Sequence, residues 1–563
     1  MWPRQRRRAW PWLAGGLSAF LILMVLPPVA LGVLVAPAVA PDRYIEAVAG
    51  EPPLLNPVLA PYTLAGQDVI PLLFSALTRT DAEGNISLDL AERLDVEDDG
   101  RAYLVKLRDG LRWDDGEPLT AEDVAFTVQL VQSPEHQGSQ ELADLWRGIK
   151  AEVVDPRTVR FTLPTPLASF PEHLTLGLLP RHVLEGVTAE ALPLHPFNRK
   201  PVGSGPYRVE SFDPNRLVLG RNPAYHGPAV SLSQVELRIF GERTAALRAL
   251  LAGQADGMAG LRSGDLQALA DAPGLVTYSL PERSKTAAVI FNVESPLLKE
   301  VAVRRALAFA LDREALIKDA LAGQGEPAAG PIPVQSWAYA RVPATADHDP
   351  AQAARLLDEA GWKAGANGLR RRDGVDLKIA LLTADTPERK AVARTLAAQM
   401  APVGITLDVR TVPADELVDE YLEHRKFEAA LVGQWSMGSD PDLYPQWHSS
   451  QIGKTGGNYA GFSDADVDRW LEVSRQVPDR DARRNAYLHF QARWAEEQPG
   501  LVLYHPMYSF VVAGDVWGVP SDPLPDSSWR LRSVGSWRRV ARATGWQEAR
   551  AVMAARASQW SGW

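Results

Sequence analysis

The stretch that decides the fold is Lys106-Leu-Arg-Asp-Gly-Leu-Arg-Trp-Asp-Asp-Gly-Glu-Pro-Leu-Thr-Ala-Glu-Asp-Val124. The run from Tyr103 to Trp113 alternates, and the Asp109-Gly110 pair within it is a strong hairpin signal. Asp115-Gly116 marks a second turn. Thr120 has the position of a helix N-cap, because an aspartate follows three residues later and valines then recur at helical spacing. The stretch predicts a hairpin followed by a helix, and its carboxylates are predicted to serve the turns and the cap.

Further along the chain, Pro201-Val-Gly-Ser-Gly-Pro-Tyr-Arg-Val209 predicts a glycine-rich turn that enters a strand. Phosphate-binding loops also contain paired glycines, but they need the spacing G-x-G-x-x-G or G-x-x-x-x-G-K-[ST]. Neither spacing occurs in this chain. We therefore expect no nucleotide site.

The second half of the chain alternates predicted strands and helices. Residues 377–382 and 405–409 are typical strands on either side of a predicted helix at 387–400. Asp312 and Asp349 are predicted helix caps. This alternation predicts an α/β architecture. Near the end, residues 529–540 are predicted to form a closing strand, with an exposed helix at 545–558.

Composition excludes several kinds of site. The chain of 563 residues has no cysteine, so disulfides, thiolate metal sites and cysteine nucleophiles are excluded. Its ten histidines include no pair at helical spacing, so no metal and no cofactor is predicted. The formal net charge of −10 argues against nucleic acid as a partner.

The amino terminus carries a membrane signal. Four arginines precede an uncharged run from Trp12 to Ala40, which is long enough for a secretory signal or a membrane span. Ala38-Val39-Ala40 resembles a cleavage site, but Pro41 follows directly and should hinder cleavage. Residues 1–41 are therefore predicted to be a signal or, in preference, an uncleaved anchor, and the rest of the chain is expected outside the cytoplasm.

A series of blocks, taken in order, resembles the family 5 extracellular solute-binding proteins, which are the peptide- and nickel-binding receptors of ABC importers. The blocks are Lys106–Val124, Pro201–Tyr207, Phe291-Asn292 with Val303–Arg313, His348–Trp362, and Arg484–Gln491 continuing to Tyr504. The resemblance covers roughly residues 42 to 540.

The resemblance implies a two-lobed, periplasmic-binding-protein-like α/β clamshell with a third, inserted domain. Lobe I would combine residues 42–80, 196–285 and 500–540. Residues 81–195 would form the inserted domain, 286–499 lobe II, and 541–563 a carboxyl-terminal tail. By resemblance, the protein is expected to be a monomer that captures oligopeptides or another small solute between its lobes and delivers them to an ABC permease with its ATPase subunits.

The predicted ligand strip runs from Leu431 to His448, where an apolar strand leads into an aromatic and polar loop. Receptors of the family often carry an aspartate three residues after the strip's tryptophan, where it pairs with a peptide's α-ammonium group. Gly438 occupies that place here, which puts recognition of a free amino terminus in doubt. The predicted ligand contacts are Asn56, Tyr62, Asn292, Trp435, Ser436, Met437 and Asp440.

Other functions remain open at this point. The altered strip allows a receptor for a non-peptide solute, such as an oligosaccharide. A peptide-acting hydrolase would need a nucleophile and a base, but neither G-x-S-x-G nor H-E-x-x-H occurs in the sequence. We therefore predict no catalytic residues. An anchored sensor with the same fold would share every feature named above.

Overall fold

The computed structural model describes residues 42–540, apart from 60–63, 82–84, 343–346, 366–367, 437, 439, 454–455 and 525. The strands are β1 Arg43–Ala49, β2 Thr78–Thr80, β3 Ile86–Leu88, β4 Ala91–Glu97, β5 Ala102–Leu107, β6 Lys150–Asp155, β7 Thr158–Thr162, β8 Tyr207–Asp213, β9 Arg216–Arg221, β10 Gln234–Phe240, β11 Gly257–Ala259, β12 Leu275–Pro281, β13 Lys285–Phe291, β14 Gly325–Pro327, β15 Lys363–Ala364, β16 Arg370–Arg372, β17 Val375–Asp376, β18 Lys378–Ala384, β19 Thr406–Val412, β20 Ala429–Ser436, β21 Gly500–Ala513, β22 Val516–Trp517 and β23 Arg538–Arg539. The helices are α1 Leu64–Leu73, α2 Ala121–Gln132, α3 Gln140–Trp146, α4 Phe170–His173, α5 Arg181–Leu184, α6 Arg243–Leu251, α7 Ser263–Leu269, α8 Val301–Ala310, α9 Arg313–Leu321, α10 Pro350–Glu359, α11 Pro387–Met400, α12 Ala414–Glu416, α13 Tyr444–Trp447, α14 Ala465–Gln476, α15 Arg480–Glu497 and α16 Trp529–Arg532.

One long strand, β21, connects two groups of strands. The path of hydrogen-bonded strands runs β19-β18-β20-β13-β21-β11-β1-β10-β9-β8, and β12 and β14 also pair with β21. The first part of β21 pairs with β13 and β14, and the part from Met507 onward pairs with β11 and β12. We therefore call residues 42–281 with 507–540 the first half, and residues 282–506 the second half.

The second half contains a parallel α/β unit. β18 pairs in parallel with β19 and with β20, and α11 forms the crossover between β18 and β19. Asp312 and Asp349 cap α9 and α10 as predicted, by accepting hydrogen bonds from the backbone N–H groups of Ala315 and Gln352 at 2.9 and 2.8 Å. The predicted α/β architecture is therefore confirmed here.

The deciding stretch forms its helix as predicted, and the chain reverses at the second of its two predicted turns and not at the first. Thr120 precedes α2, and its backbone N–H donates to Asp123 Oδ2 at 2.8 Å. The hairpin predicted at Asp109-Gly110 is wrong, because β5 pairs with β4 and β7 instead. The reversal lies at the second predicted turn, Asp115-Gly116, where the Trp113 N–H donates to the Glu117 carbonyl at 2.9 Å. Asp109-Gly110 forms only a turn between segments that have other partners.

The glycine-rich turn before β8 has a packing function. A Cβ at Gly203 or Gly205 would overlap the carbonyl oxygens of Leu73 or Leu72 at the end of α1. The Gly205 N–H donates to the Leu73 carbonyl at 2.8 Å. The turn needs glycine for this close backbone approach.

Within the described part of the chain, the buried apolar residues form four clusters. The largest contains side chains from the predicted lobe I and from the predicted inserted domain, including Tyr44, Trp113, Phe170 and Trp537. Two clusters lie in the second half, and a smaller one lies around α6 and α7. The boundaries given above for the lobes and the insertion stay predictions.

The closing strand predicted over residues 529–540 is wrong for most of its length. Asp526 Oδ1 accepts hydrogen bonds from the N–H groups of Ser528 and Trp529 at 2.8 and 3.2 Å, and α16 begins there. In this range β23, with two residues, is the one strand that the structure describes. Within α16, Arg530 is fully buried and binds Glu46 in β1, with Nη2 2.9 Å from Oε1.

The predicted anchor at 1–41 and the predicted helix at 545–558 lie outside the described residues. Of the helices in the described part of the chain, none has both the length and the apolar character that crossing a membrane requires.

Candidate ligand-binding site

The predicted ligand strip begins with β20, which changes its pairing along its length. β20 pairs antiparallel with β13 as far as Ser436, but its parallel pairing with β18 ends at Leu431. Among the described residues, β20 from Val432 onward therefore has a strand partner on one side only. An unpaired strand edge presents backbone N–H and C=O groups that an extended chain can bind.

A cavity of about 1460 Å³, called here the large cavity, lies at the carboxyl ends of the parallel strands. Its lining includes Ala384 at the end of β18, Ala414 just after β19, and Val432 and Gly433 within β20. The first half contributes residues 261–264 from the start of α7, and Met507 and Ser509 of β21. Ligands of open parallel sheets bind at this end of the strands.

The large cavity has a slightly basic wall. Its charged lining residues are Arg262, Lys318 and Arg389 on the cationic side, and Asp319 and Glu388 on the anionic side. Cations therefore exceed anions by one in the described lining, which favours an anionic ligand group.

Arg389 lies directly beside β20. Its Nη1 donates to the Tyr504 hydroxyl at 3.4 Å, and that hydroxyl donates to Glu388 Oε1 at 3.0 Å. A Cβ at Gly433 would overlap the Arg389 guanidinium. The glycine therefore allows the guanidinium to lie against the backbone of the strip.

A second cavity of about 670 Å³, called here the small cavity, lies beyond the end of β20. One wall comes from the first half and includes Pro57, residues of α3 and residues of α4. The opposite wall comes from the second half and consists of Arg475 and residues between Gly438 and Trp447. The strip thus contributes to both cavities, and both cavities are lined by residues of the two halves.

The small cavity has an acidic lining. Its charged residues are the carboxylates of Glu172, Asp440 and Asp442, with Arg475 as the one cation in the described lining. Asp442 Oδ2 is 3.4 Å from Arg475 Nε, and burial raises the pKa of the Asp442 carboxyl above its ordinary value.

His173 adds no charge to this cavity at neutral pH. Burial, with the nearby charge of Arg475 as a smaller contribution, lowers the pKa of its imidazole to about 4. Among the described lining residues, carboxylates therefore exceed cations. The small cavity favours a cationic ligand group.

Glu172 of α4 extends across the small cavity to the strip. Its Oε2 accepts a hydrogen bond from the backbone N–H of Asp440 at 3.3 Å. A Cβ at Gly438 would lie 2.5 Å from the same oxygen and would overlap the carboxylate. The absence of a side chain at position 438 leaves the space that the Glu172 carboxylate fills.

Two of the predicted ligand residues bind protein groups in this structure. Asn56 is fully buried, and its Nδ2 donates to Asn198 Oδ1 at 2.9 Å. The Asn292 Nδ2 donates to the Phe427 carbonyl at 3.0 Å. The Asn292 Oδ1 accepts from the Glu294 N–H at 3.1 Å. A role in ligand binding for either asparagine stays a prediction.

The remaining predicted residues lie along the strip or outside the described part. Trp435 and Ser436 end β20, opposite Thr286 and Lys285 of β13. Asp440 lines the small cavity and pairs with Arg483. Tyr62 and Met437 lie outside the described residues, so their roles stay predictions.

Sequence reasoning missed Glu172, Arg389 and Arg475. Arg389 left a signal, which is its position just after a helix cap. The Thr386 hydroxyl accepts a hydrogen bond from the Arg389 N–H at 3.2 Å, so Thr386 caps α11 and the Arg389 cation lies in the first turn of that helix. A cation there is unfavourable for the helix dipole and suggests another role. Glu172 left no signal, since 268 residues separate it from Asp440.

Among the described residues, no group of histidine and carboxylate side chains could hold a metal ion. The described residues thus provide two cavities of opposite charge and a strand edge, and their side chains can recognise a ligand through hydrogen bonds and charge.

Comparison with known proteins identifies the family of the chain. Residues 85–455 match the family described as bacterial extracellular solute-binding proteins, family 5 (middle). The oligopeptide-binding protein AppA of Bacillus subtilis is 30% identical over 507 residues, which cover 87% of this chain and 90% of the relative.

Solved structures show the same fold. That of Bacillus subtilis AppA in complex with a nonapeptide has a TM-score of 0.65 at 28% identity, covering 88% of this chain and 99% of the other. That of NikZ from Campylobacter jejuni in complex with Ni(L-His) has a TM-score of 0.68 at 26% identity, covering 89% and 100%. The resemblance seen in the sequence blocks is confirmed, and the family is one of solute-binding proteins and not of enzymes. The chain belongs to family 5 of the bacterial extracellular solute-binding proteins.

Proposed function

We propose that the chain is the extracytoplasmic substrate-binding component of an ABC importer and that it carries oligopeptides. Its partners would be a membrane permease and the ATPase subunits attached to it. The uncharged segment between Trp12 and Ala40 would hold the protein at the membrane. Family membership supports the solute-binding role, and AppA, described as oligopeptide-binding, supports the peptide cargo.

One observation carries the peptide cargo. The unpaired edge of β20 begins at Val432 beside the large cavity, and the chain then passes Gly438 in the small cavity. An extended peptide offers a backbone donor and acceptor at each residue, so it can add to such an edge as a strand. Its carboxylate end matches the basic large cavity, and its ammonium end matches the acidic small cavity.

Binding would be coupled to closure of the two halves. The halves are joined where β12 continues into β13 and along β21, and each cavity has walls from both. A ligand that contacts both walls only when they are close favours the closed state by that difference in contact free energy. The permease would then recognise the closed form.

Thermal stabilisation of the full-length chain tests the cargo. The ligands are a pool of peptides with free ends, the same pool blocked at both ends, a pool of oligosaccharides, and nickel with L-histidine. A ligand at about 100 times its Kd adds about 2.7 kcal/mol to the free energy of unfolding. We expect the free peptides to raise the melting temperature most. Stabilisation by oligosaccharides or by nickel with histidine, without any by peptides, would overturn the proposed cargo.

A further inference from the structure

The two ends of the described part of the chain lie side by side. The carbonyl of Arg43, at the start of β1, accepts a hydrogen bond from Nη1 of Arg539, in β23, at 3.4 Å. From this placement we infer that residues 541–563, called here the tail, bind the surface of an anionic membrane beside the amino-terminal segment. The inference rests on the proposed attachment of that segment to the membrane and is independent of the peptide cargo.

The carboxyl-terminal end is held in place by several contacts. β23 pairs with β22, and the Val540 N–H donates to the Asp515 carbonyl at 2.9 Å. The Arg539 guanidinium is 8% exposed and forms ion pairs with Asp256 and Asp515 at 3.0 and 2.9 Å. These contacts fix the position of residue 540, so the tail begins beside the start of β1.

The amino-terminal end would bring the same face of the molecule to the membrane. The uncharged segment ends at Ala40, two residues before Asp42. An extended chain spans at most about 3.5 Å per residue, so a segment inserted as far as Ala40 would keep Asp42 within about 10 Å of the bilayer surface. The start of the tail shares that position, because β1 and β23 are in contact.

The tail has the composition of a segment that binds a membrane surface. It contains three arginines, three tryptophans and one acidic residue, Glu548. Arginines attract anionic headgroups, and tryptophan side chains favour the boundary between headgroups and acyl chains. The chain as a whole carries a net charge of −10, so an anionic membrane would repel it, and the basic tail would oppose that repulsion.

The spacing of these residues indicates one apolar face. Trp546, Met553 and Trp560 recur every seven residues, and seven residues are about two turns of a helix. At helical spacing, Arg550 would lie beside this stripe and Glu548 on the opposite face. The pattern is typical of a helix that lies in the plane of a membrane surface.

A basic segment with aromatic side chains also suits single-stranded nucleic acid. The placement of the tail favours the membrane, because the tail begins next to β1, which directly follows the uncharged segment. Binding of nucleic acid is therefore one outcome of the test.

The test measures amide hydrogen exchange in the tail of the full-length chain by mass spectrometry. The chain is mixed with vesicles of phosphatidylcholine, with vesicles of phosphatidylcholine and phosphatidylglycerol in equal parts, or with a single-stranded oligonucleotide. Co-sedimentation with the vesicles measures attachment of the whole chain separately. The tail variant carries Arg542→Gln, Arg550→Gln and Arg556→Gln. The control variant removes the same charge from exposed positions on other elements, through Arg93→Gln, Arg147→Gln and Arg469→Gln.

Anionic vesicles should slow exchange in the wild-type tail about tenfold or more relative to the free chain, and neutral vesicles should slow it less. The tail variant should lose most of this protection, since each arginine strengthens binding to an anionic surface about fivefold. The control variant should keep the protection. Both variants should attach to vesicles as wild type does, because the amino-terminal segment is unchanged.

Several results would overturn the inference while leaving the proposed attachment in place. The first is a wild-type chain that attaches to vesicles while its tail exchanges as in the free chain. The others are equal protection by neutral and anionic vesicles, equal loss of protection in the two variants, and stronger protection by the oligonucleotide than by vesicles. If wild type attaches to neither kind of vesicle, the proposed attachment fails together with the inference.

Discussion

Arg483 donates hydrogen bonds from both Nη atoms to the carboxylate of Asp440, with Nη1 2.9 Å from Oδ2. The Arg483 side chain is 5% exposed and that of Asp440 is 19% exposed. Arg483 also donates from Nε to the Ser474 carbonyl at 2.6 Å. The pair therefore joins the loop after β20 to α14 and α15, and it makes Asp440 a structural residue of the cavity wall.

Replacing Asp440 with asparagine should destabilise the protein more than it changes peptide selectivity. The substitution leaves a buried guanidinium without its anion, which costs about 3 kcal/mol in comparable buried pairs. Urea denaturation measures the loss. Asp466→Asn is the control, because its ion pair with Arg469 is exposed and its loss should cost less than about 1 kcal/mol. A stable Asp440→Asn protein that no longer distinguishes free from acetylated peptides would contradict this assignment.

Arg389 should bind the carboxyl end of the peptide. Arg389→Gln is expected to weaken binding of peptides with a free carboxyl end by about tenfold, because a charge-assisted hydrogen bond is lost. Amidated peptides should bind the variant and wild type alike. Calorimetric titration with matched free and amidated peptides measures both effects. Arg394→Gln, on the exposed face of the same helix α11, should change neither. An equal loss for amidated peptides would show that Arg389 acts only through the local fold.

The unpaired edge of β20 predicts a periodic response to backbone methylation of the ligand. In a strand, alternate residues point their N–H groups to the same side, so peptides methylated at one alternating set of nitrogens should lose affinity. Each lost hydrogen bond should weaken binding about two- to tenfold. Peptides methylated at the other set serve as the control and should bind nearly as well as the parent. Equal loss from both sets would argue against strand addition.

Asp68 should make the protein less stable as the pH rises. Burial raises the pKa of its carboxyl from 3.8 to about 7, although Arg530 lies 3.6 Å away. The folded chain therefore retains a proton that the unfolded chain releases, and the stability from this proton is lost between about pH 4 and pH 7. Asp68→Asn should reduce that decline and raise the free energy of unfolding at about pH 8 by a few kcal/mol, since one pKa unit is about 1.4 kcal/mol.

Denaturation of wild type and Asp68→Asn across this pH range measures the effect. Asp481→Asn is the control, because the Asp481 side chain is 91% exposed. Parallel pH profiles for wild type and Asp68→Asn would contradict the prediction. The bidentate contact of Arg530 with Glu46 remains in the variant, so the arginine keeps an anion.

Local signals in the sequence predicted local structure well. Asp312, Asp349 and Thr120 mark the starts of helices, because a cap and its helix lie within a few residues of each other. The same reasoning failed at Asp109-Gly110, since β5 pairs with β4, which precedes it, and with β7, which lies about 50 residues further along the chain. It also failed near Trp529, where Asp526 begins a helix in a run that looked like a strand.

The candidate site was only partly predictable for the same reason. The strip from Leu431 to His448 is continuous in the sequence, and its residues line both cavities. In the sequence, Gly438 occupies the place where receptors of the family often carry an aspartate, so a negative charge was expected to be missing there. The structure brings Glu172 to that place from a short helix in the other half of the chain. No periodicity or spacing in one sequence can indicate such a meeting of distant segments.

The late position of β21 in the chain affects how the protein can fold. β21 lies in the middle of the strand path, between β13 and β11, yet it begins only at Gly500. Until that segment has been synthesised, neither half can complete its sheet, and contacts between such distant segments form slowly. During synthesis the edges of β11 and β13 would be available to chaperones.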